Sequence, residues 1–282
     1  MCGMRAQLEL FEELAEPIIP SKLGRTQIGI RERSSVLSKA NAEYLNCDFT
    51  LNPYVGCGFG CSYCYAAFYV ADEERRKDWG KWVDVKVDAE RQIAKTDLKG
   101  KKIFMSSATD PYQPLEAKLK LTRRIVELLA EPARQPILRI QTRSPIVARD
   151  IDLFRLFKDI RVSMTISTDC DEIRKLFEPM CASIDRRYDA LAEVAAAGIP
   201  VGISICPMLP MNDPEAFGKR LARLNPKHCF TGTFHQAKKD FQANTRSPAL
   251  DLARKLGWDE GQYSRNLELI RRHLPNINGM RR

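Results

Sequence analysis

The sequence predicts an α/β fold built on a parallel β-sheet that helices cover. Two observations support this prediction. Short apolar runs of strand length alternate with amphipathic stretches along most of the chain, an order typical of strands joined by crossover helices. A chain of 282 residues with 44% hydrophobic side chains can also bury one large core or two small ones. This pattern leaves open whether the sheet is an open doubly wound sheet or a barrel.

Each predicted strand is a short apolar run followed by a stretch with helical spacing of its apolar residues. After the second strand, Leu121, Ile125 and Leu129 share one face of a predicted helix. The helix after the fourth strand has Ser183 placed to cap its start and Gly198 placed to end it. The six predicted strands span residues 47–53, 101–107, 136–142, 160–168, 199–207 and 228–234.

Two segments fall outside this alternation. Residues 1–50 are interpreted as an irregular arm that leads into the first strand. The charged segment 71–100 is interpreted as a connection, although Trp82, Val83 and Val85 within it could form an extended piece.

Charge and composition limit the class of protein. With 45 basic and 36 acidic residues the formal net charge is +9, which favours acidic partners, including nucleic acid. A solvated surface that keeps the protein soluble is an equally open explanation of the excess. No run of eighteen apolar residues exists, and the first residues carry acids where a signal peptide would be basic and then apolar. We therefore expect a cytoplasmic protein that does not bind the membrane.

The stretch "NPYVGCGFGCSYCYA" places Cys57, Cys61 and Cys64 in a C-x3-C-x2-C pattern directly after a predicted strand. A structural zinc site needs four ligands, and no second cysteine pair or histidine pair completes one. A dithiol redox motif would leave one of the three thiols unexplained. Three thiolates fit a 4Fe-4S cluster whose fourth iron stays open to bind a substrate or cofactor. The alternative is that these cysteines are small apolar side chains in a core.

This pattern, with Tyr63 just before the last cysteine, resembles the signature of the radical S-adenosylmethionine (radical SAM) superfamily. Residues 47–234 are most similar to its spore photoproduct lyase group, through "TDPYQPLE", "RSPIVARDIDLF", "TISTD", "FEP" and "RRYDALAEVAAAGIPVGISICPMLP". The resemblance implies a partial (β/α)6 TIM-like barrel over residues 47–235. An N-terminal arm would span residues 1–46 and a C-terminal helical extension residues 236–282.

The resemblance also implies the chemistry. In this superfamily the open iron of the 4Fe-4S cluster binds S-adenosylmethionine. An electron, supplied by a flavodoxin- or ferredoxin-type donor, cleaves the cofactor to methionine and a 5'-deoxyadenosyl radical, and the radical abstracts hydrogen from the substrate. The group's name implies a nucleic-acid or nucleotide substrate, in agreement with the basic charge.

Site residues follow from the same resemblance at matched positions. Tyr63 would lie near the adenine, and Arg143 would pair with the methionine carboxylate. Polar residues at strand ends would contact the rest of S-adenosylmethionine: Thr165 and Ser167 the ribose, Ser106 and Ser107 the methionyl group. Simpler roles stay open for each. Arg143 could be a surface cation, and Thr165 and Ser167 could face helices. Tyr112 and Gln113 could contact the substrate or only pack in the turn that Asp110 could cap.

The sequence departs from the group at one position. Spore photoproduct lyases carry a hydrogen-donating cysteine three residues before the aspartate that matches Asp110, and this chain has Ser107 there. A serine O–H bond is too strong to donate hydrogen to a carbon radical, so repair by the same route is in doubt. Cys206, Cys170 and Tyr112 are replacement candidates, although a buried structural role is the default for each.

Two other functions stay open. The same radical chemistry could act on a small metabolite or peptide, and a non-catalytic redox or iron sensor could use the same loop.

The other cysteines are too dispersed to form a second iron–sulfur site: Cys2, Cys47, Cys170, Cys181, Cys206 and Cys229.

Overall fold

The computed structural model describes residues 18–40, 46–235 and 244–279 of the chain. Within these ranges twelve strands occur. They are β1 (Lys22–Leu23), β2 (Thr26–Arg31), β3 (Leu37–Lys39), β4 (Phe49–Leu51), β5 (Tyr54–Gly56), β6 (Trp82–Lys86), β7 (Lys102–Met105), β8 (Ile137–Thr142), β9 (Ile160–Thr165), β10 (Val201–Ile205), β11 (His228–Thr231) and β12 (Ile277–Gly279).

The same ranges contain ten α-helices and two 3-10 helices. The α-helices are α1 (Glu73–Lys77), α2 (Ala89–Lys95), α3 (Glu116–Leu119), α4 (Leu121–Ala130), α5 (Ile151–Phe154), α6 (Asp171–Phe177), α7 (Ile184–Ala196), α8 (Pro214–Ala222), α9 (Ser247–Lys255) and α10 (Glu260–Arg271). The 3-10 helices are Tyr65–Tyr69 and Pro145–Asp150.

The larger sheet has eight strands in the order β12-β11-β10-β9-β8-β7-β4-β3. All neighbours from β4 to β12 are parallel, and β3 alone runs antiparallel at one edge. Strands β4, β7, β8, β9, β10 and β11 coincide with the six predicted ones, so the α/β prediction is confirmed. Because β3 and β12 are edges and do not pair with each other, the sheet is a partial barrel rather than a closed one.

Helices pack on one face of this sheet and form the main core. Along β8 and β9 the residues that point to this face, such as Leu138, Ile140, Val162 and Met164, are almost fully buried. Helix α7 begins as predicted, since Ser183 Oγ accepts a hydrogen bond from the backbone N–H of the third helical residue. The opposite face of the sheet has a different character, described below.

The predicted helical extension contains the helices α9 and α10. Helix α10 packs tightly against α8 at Gly218, where a Cβ atom would lie 3.0 Å from the Cα of Ile270. A larger side chain at residue 218 would therefore force these two helices apart. The extension also adds β12, which the sequence analysis did not predict, parallel to β11.

A second sheet, in the order β1-β2-β6-β5, covers the segment that leads into the cysteine loop. Two expectations are wrong here. The described part of the N-terminal arm is not irregular, because β2 pairs with β6 over five residues. The segment 71–100 is not merely a connection, because it forms β6 and α2. Asp84 of β6 holds the layer together through ion pairs with Arg31 at 2.9 Å and Arg75 at 2.7 Å.

Other parts of the arm and the extension, residues 1–17, 41–45, 236–243 and 280–282, lie outside the described residues. The division of the chain into arm, barrel and extension stays a prediction. None of the helices described here is both long and apolar enough to cross a bilayer.

Candidate active site

The cysteine loop begins where β5 ends and curls through two consecutive turns. The N–H of Gly60 donates to the carbonyl of Cys57 at 3.3 Å, and the N–H of Cys64 donates to the carbonyl of Cys61 at 3.2 Å. Gly56 and Gly60 have φ values of +79° and +61°. A side chain on Gly60 would also lie 3.1 Å from the backbone of Gly80. Glycine is therefore required at both positions for the loop to fold back on itself.

The three thiols lie together in an apolar pocket of their own. Cys57 and Cys61 are buried and Cys64 is partly buried, among aromatic side chains that include Phe59 and Trp79. Burial raises the pKa of Cys57 well above its usual value and that of Cys64 to about 11. Cys61 and Cys64 raise the pKa of Cys57 further, and Cys61 raises that of Cys64, as expected for thiols of one tightly curled loop.

The segment after β7 binds this loop through two side-chain hydrogen bonds. The amide oxygen of Gln113, which is fully buried, accepts a hydrogen bond from the N–H of Gly58 at 2.8 Å. The hydroxyl of Thr109 donates to the carbonyl of Gly56 at 2.6 Å. Gln113 therefore positions the cysteine loop. This role explains why Gln113 is buried here without the substrate contact that the sequence left open.

Asp110 builds the turn and also fixes the end of β8. Its carboxylate accepts from the N–H of Tyr112 at 2.9 Å, as the turn-capping interpretation expects. It further accepts from the hydroxyl of Thr142 at 2.6 Å and from the N–H of Arg143 at 2.8 Å. Asp110 thus sets the backbone position from which Arg143 reaches the thiols.

Arg143 lies inside the site and is not an ordinary surface cation. Its Nε donates to the hydroxyl of Tyr63 at 3.2 Å and lies 3.6 Å from Glu178 Oε1. Tyr63 in turn donates a short hydrogen bond to Glu178. Burial disfavours the charge of Arg143, but Tyr63, Cys61 and Glu178 outweigh it and hold its pKa above the usual range.

Glu178 is the centre of this network and was missed by the sequence analysis. It is fully buried and pairs with Arg187, also fully buried, at 2.5 Å. Burial would raise the pKa of Glu178, but Arg187 and Arg143 together lower it. Two arginines share this one carboxylate, so the group retains a net positive charge beside Cys61 and Cys64.

Cys181 is a second residue that the sequence analysis missed. The sequence analysis grouped it with the cysteines too dispersed to form a second site and gave it no role at the first one, but its Sγ lies 3.9 Å from Cys61 Sγ. The contact lowers the pKa of the Cys61 thiol and places a fourth sulfur at the loop. Glu178 and Cys181 directly follow helix α6. The end of this helix is bound to the cysteine loop, because the carbonyl of its last residue, Phe177, accepts from the N–H of Ser62 at 2.8 Å.

Polar side chains follow the carboxyl ends of the next two strands. Thr165, at the end of β9, accepts from Gln141 Nε2 at 3.3 Å and therefore lies on the face opposite the helices. Ser167 and Ser204 are 1% and 2% exposed, yet among the described residues neither hydroxyl has a hydrogen-bond partner. Buried hydroxyls are normally paired, so this pair indicates a missing polar ligand. Ser204, which pairs in register with Thr165, is a site residue that strand alternation could have identified.

Ser106 and Ser107 are connected to the far end of the cysteine loop. Ser106 has a φ of +106°, a strained conformation for serine, and donates to the carbonyl of Thr109 at 2.9 Å. The carbonyl of Ser107 accepts from the hydroxyl of Tyr65 at 2.7 Å, and its own hydroxyl accepts from Asn52 at 2.9 Å. The end of β7 is thus held next to the residue that follows Cys64.

The candidate hydrogen donors separate in the structure. Cys206 lies within electrostatic range of Arg143, at the end of β10, and burial raises its pKa to about 12. Cys170 instead donates to Glu172 at 3.4 Å. Tyr112 is fully buried against Asp150 and Glu116, among the residues of the main core, and has no described contact with the cysteine loop.

A single metal ion does not fit this donor set: in the described part of the chain, no three His, Cys, Asp or Glu side chains converge as ligands of one ion. An iron–sulfur cluster is larger than an ion and is held by cysteine thiolates. The thiols of Cys57, Cys61 and Cys64 in an apolar pocket, beside the positive charge of Arg143, match that requirement. The residues present therefore fit such a cluster.

Comparison with known proteins places the chain in a family. Residues 51–223 match the radical SAM superfamily, and the chain belongs to it. A protein of Methanocaldococcus jannaschii, MJ0683, is 39% identical over 162 residues, which are 57% of this chain and 61% of that protein. ORF301 of Acidianus two-tailed virus is 27% identical over 78% of this chain and 75% of its own length. The chain thus spans about three fifths of MJ0683 and three quarters of ORF301.

Solved structures agree in fold. A spore photoproduct lyase variant with bound AdoMet and dinucleoside spore photoproduct superposes with a TM-score of 0.60 at 14% identity, over 98% of this chain and 93% of that one. Another variant with the dinucleoside superposes with a TM-score of 0.58 at 16% identity, over 89% and 80%. The fold is therefore that of spore photoproduct lyase, within the radical SAM superfamily.

Proposed function

We propose that this protein is a radical SAM enzyme that acts on a nucleic-acid or nucleotide substrate. Cys57, Cys61 and Cys64 would hold a 4Fe-4S cluster, and the strand ends beside them would hold S-adenosylmethionine. The bound cluster and cofactor supply a 5'-deoxyadenosyl radical, which abstracts a hydrogen atom from the substrate. We further propose that a flavodoxin- or ferredoxin-type protein donates the electron, and that the enzyme works in the cytoplasm, where the free thiols of the described cysteines stay reduced.

The observation that supports this proposal most strongly is the pair of unpartnered hydroxyls at the carboxyl ends of β9 and β10. Ser167 and Ser204 need a polar partner, and the ribose hydroxyls of S-adenosylmethionine would supply one. Arg143, 21% exposed, offers its guanidinium to the methionine carboxylate. Tyr63, held by Arg143 and Glu178, would cover the adenine, and the surrounding aromatic residues keep water away from the thiols.

The nucleic-acid part of the proposal has two supports. The net charge of +9 attracts polyanions. The spore photoproduct lyases that share this fold are solved with a dinucleoside lesion. Ser107 stands where those lyases use a cysteine, so we propose repair or modification in general and no particular lesion. Cys206, near Arg143, is the better placed of the two proposed hydrogen donors, Cys206 and Tyr112.

The first test is reconstitution with iron and sulfide under anaerobic conditions, followed by dithionite and S-adenosylmethionine. The expected product is 5'-deoxyadenosine. Cys61→Ala should lose both the iron–sulfur absorbance and the product. Cys47→Ala, a partly buried cysteine outside the loop, should keep both. A cluster whose spectrum ignores S-adenosylmethionine would instead indicate a sensor.

The second test concerns the substrate. An oligonucleotide should bind with an affinity that falls steeply as salt rises, and it should increase the yield of 5'-deoxyadenosine. A small metabolite or peptide that stimulates the reaction, when nucleic acid does not, would contradict the proposed substrate while leaving the radical chemistry intact.

A further inference from the structure

The larger sheet has a second face on which polar and charged side chains take the place of the apolar ones of the main core. Burial alternates along β8 in the pattern half-buried, buried, with Leu138 and Ile140 on the core side and Arg139 and Gln141 on the other. In β11 the same alternation leaves His228 half-buried. This second face, called the open face below, is the inner surface of the partial barrel.

A basic group lies on the open face near the amino-terminal ends of the strands. Arg139 and Arg161 are direct neighbours across β8 and β9. Across β10, Gly202 pairs in register with both Ser163 and His228, so His228 is on the same face. Burial lowers the pKa of His228, and the charges of Arg161 and Arg139 lower it further, as expected for a histidine near two arginines.

The charges of this group are not balanced. Arg139 is paired with Asp159 at 2.7 Å. Arg161 is half-buried and forms no ion pair among the described residues, although Asp159 attracts it at longer range. Its buried Nε has no described hydrogen-bond partner. A guanidinium N–H that has left water without gaining an acceptor is unfavourable. The sequence thus keeps an unsatisfied cation on a concave surface, where an anionic ligand would satisfy it.

The open face connects this group with the candidate active site. Thr165 lies four residues after Arg161 on the same strand and the same face, a separation of about 13 Å at the usual rise of a strand. Ser163 lies between them, and Gln141 of the neighbouring strand contacts Thr165. A ligand of nucleotide or dinucleotide size spans such a distance.

We propose that Arg161 and Arg139, with His228 beside them, form a phosphate-binding position on the open face, which recognises a phosphate group of the substrate. The proposal rests on the proposed function, because it names the chemical group by which a nucleotide or nucleic-acid substrate would be held. Arg161 supplies unshared N–H donors, which suit phosphate oxygens. A free nucleotide and a nucleic-acid strand present the same group, and the experiment separates them.

The test uses the reconstituted protein and a local reporter. The chain has three histidines, so the imidazole resonance of His228 can be assigned by comparison with His228→Asn. Addition of inorganic phosphate should shift this resonance and raise the pKa of His228, because an anion offsets the two arginines. His273, in the helical extension, should not respond. Arg161→Gln should abolish the response of His228.

Affinity measurements identify the source of the phosphate. For a short single-stranded oligodeoxynucleotide, Arg161→Gln should weaken binding about tenfold and reduce the salt dependence by about one phosphate contact. The matched control is Arg186→Gln, which removes the same charge from an exposed position of α7 and should change the affinity less than twofold. A nucleoside monophosphate that shifts His228 as strongly as the oligonucleotide would identify a free nucleotide as the source.

Two results would overturn the proposal: a His228 resonance that ignores both phosphate and oligonucleotide, or equal losses in Arg161→Gln and Arg186→Gln. The proposed function would fail separately, through the absence of 5'-deoxyadenosine in a protein whose His228 still responds to phosphate.

Discussion

Two arginines at opposite ends of the larger sheet, Arg143 and Arg161, differ in whether their buried N–H groups have acceptors. Arg143 follows the carboxyl end of β8 and has the buried acceptors Tyr63 and Glu178. Arg161 lies near the amino end of β9 and has no described acceptor for its buried Nε. At the carboxyl end, called the balanced end below, each arginine has an acceptor and hydroxyls are left unpaired. At the amino end, called the unbalanced end, a guanidinium N–H is left unpaired. The unpaired groups indicate what each place is built to bind: a neutral polar ligand part at one end and an anion at the other.

The largest expected effect tests the balanced end. Glu178→Gln removes the carboxylate that two buried or half-buried arginines share, and it leaves Arg187 fully buried without a counter-charge. We expect a loss of about 3 to 5 kcal/mol in the free energy of unfolding, the usual result when one partner of a buried pair is removed. Urea unfolding under anaerobic conditions measures it.

The control for this substitution is Glu193→Gln on the exposed side of α7, which should change the stability by less than about 0.5 kcal/mol. If Glu178→Gln is as mild as the control, the network does not stabilise the fold, and its role in placing Arg143 and Tyr63 would also be in doubt.

The comparison also shows which features of the fold and the site can be predicted from the sequence. The six strands and the cysteine loop were predictable, because hydrophobic alternation and cysteine spacing are local signals. Glu178 and Cys181 were not, because they reach the loop from α6 and the turn after it, more than a hundred positions along the chain. The small sheet was missed for a similar reason. The apolar run of β6 was noticed, but its partner β2 lies on the other side of the cysteine loop in sequence, and no local signal indicates that the two strands pair.

The second prediction concerns the unpaired hydroxyls. Ser204→Ala removes a buried group that has no described partner, so without S-adenosylmethionine the protein should become more stable, by about 1 kcal/mol. The same substitution should weaken S-adenosylmethionine binding about tenfold, since the ribose loses a hydrogen bond. Differential scanning calorimetry and equilibrium dialysis measure the two effects.

Ser163→Ala provides the comparison, because Ser163 is on the same face but nearer the amino end and is not among the unpartnered groups. It should leave cofactor binding unchanged. A Ser204→Ala protein that is destabilised and binds S-adenosylmethionine normally would show that Ser204 has only a structural role.

The third prediction concerns Cys181, whose sulfur lies 3.9 Å from that of Cys61. Hydrogen bonds to the sulfur ligands of a cluster raise its reduction potential. Cys181→Ala should therefore lower the midpoint potential of the reconstituted protein, by about 40 mV if the bond contributes about 1 kcal/mol. Cys181→Ser keeps a donor and should lower it less. A spectroelectrochemical titration that gives equal potentials for all three proteins would exclude this contact as a determinant.

The smallest expected effect returns to the unbalanced end. Arg161→Gln relieves the repulsion between Arg161 and Arg139, which are direct neighbours across two strands. Stability in buffer without phosphate should rise by about 0.2 to 1 kcal/mol, the range of cross-strand charge pairs, and the gain should shrink as salt screens the charges. Inorganic phosphate should reverse the order, because it stabilises the native protein through Arg161 and has no such partner in the variant. Arg143→Gln, at the balanced end, should instead be destabilising in both buffers, because it removes a partner of the buried Glu178. The sign of the change in stability therefore distinguishes a cation that stabilises the free protein from one that stabilises it only when an anion is bound.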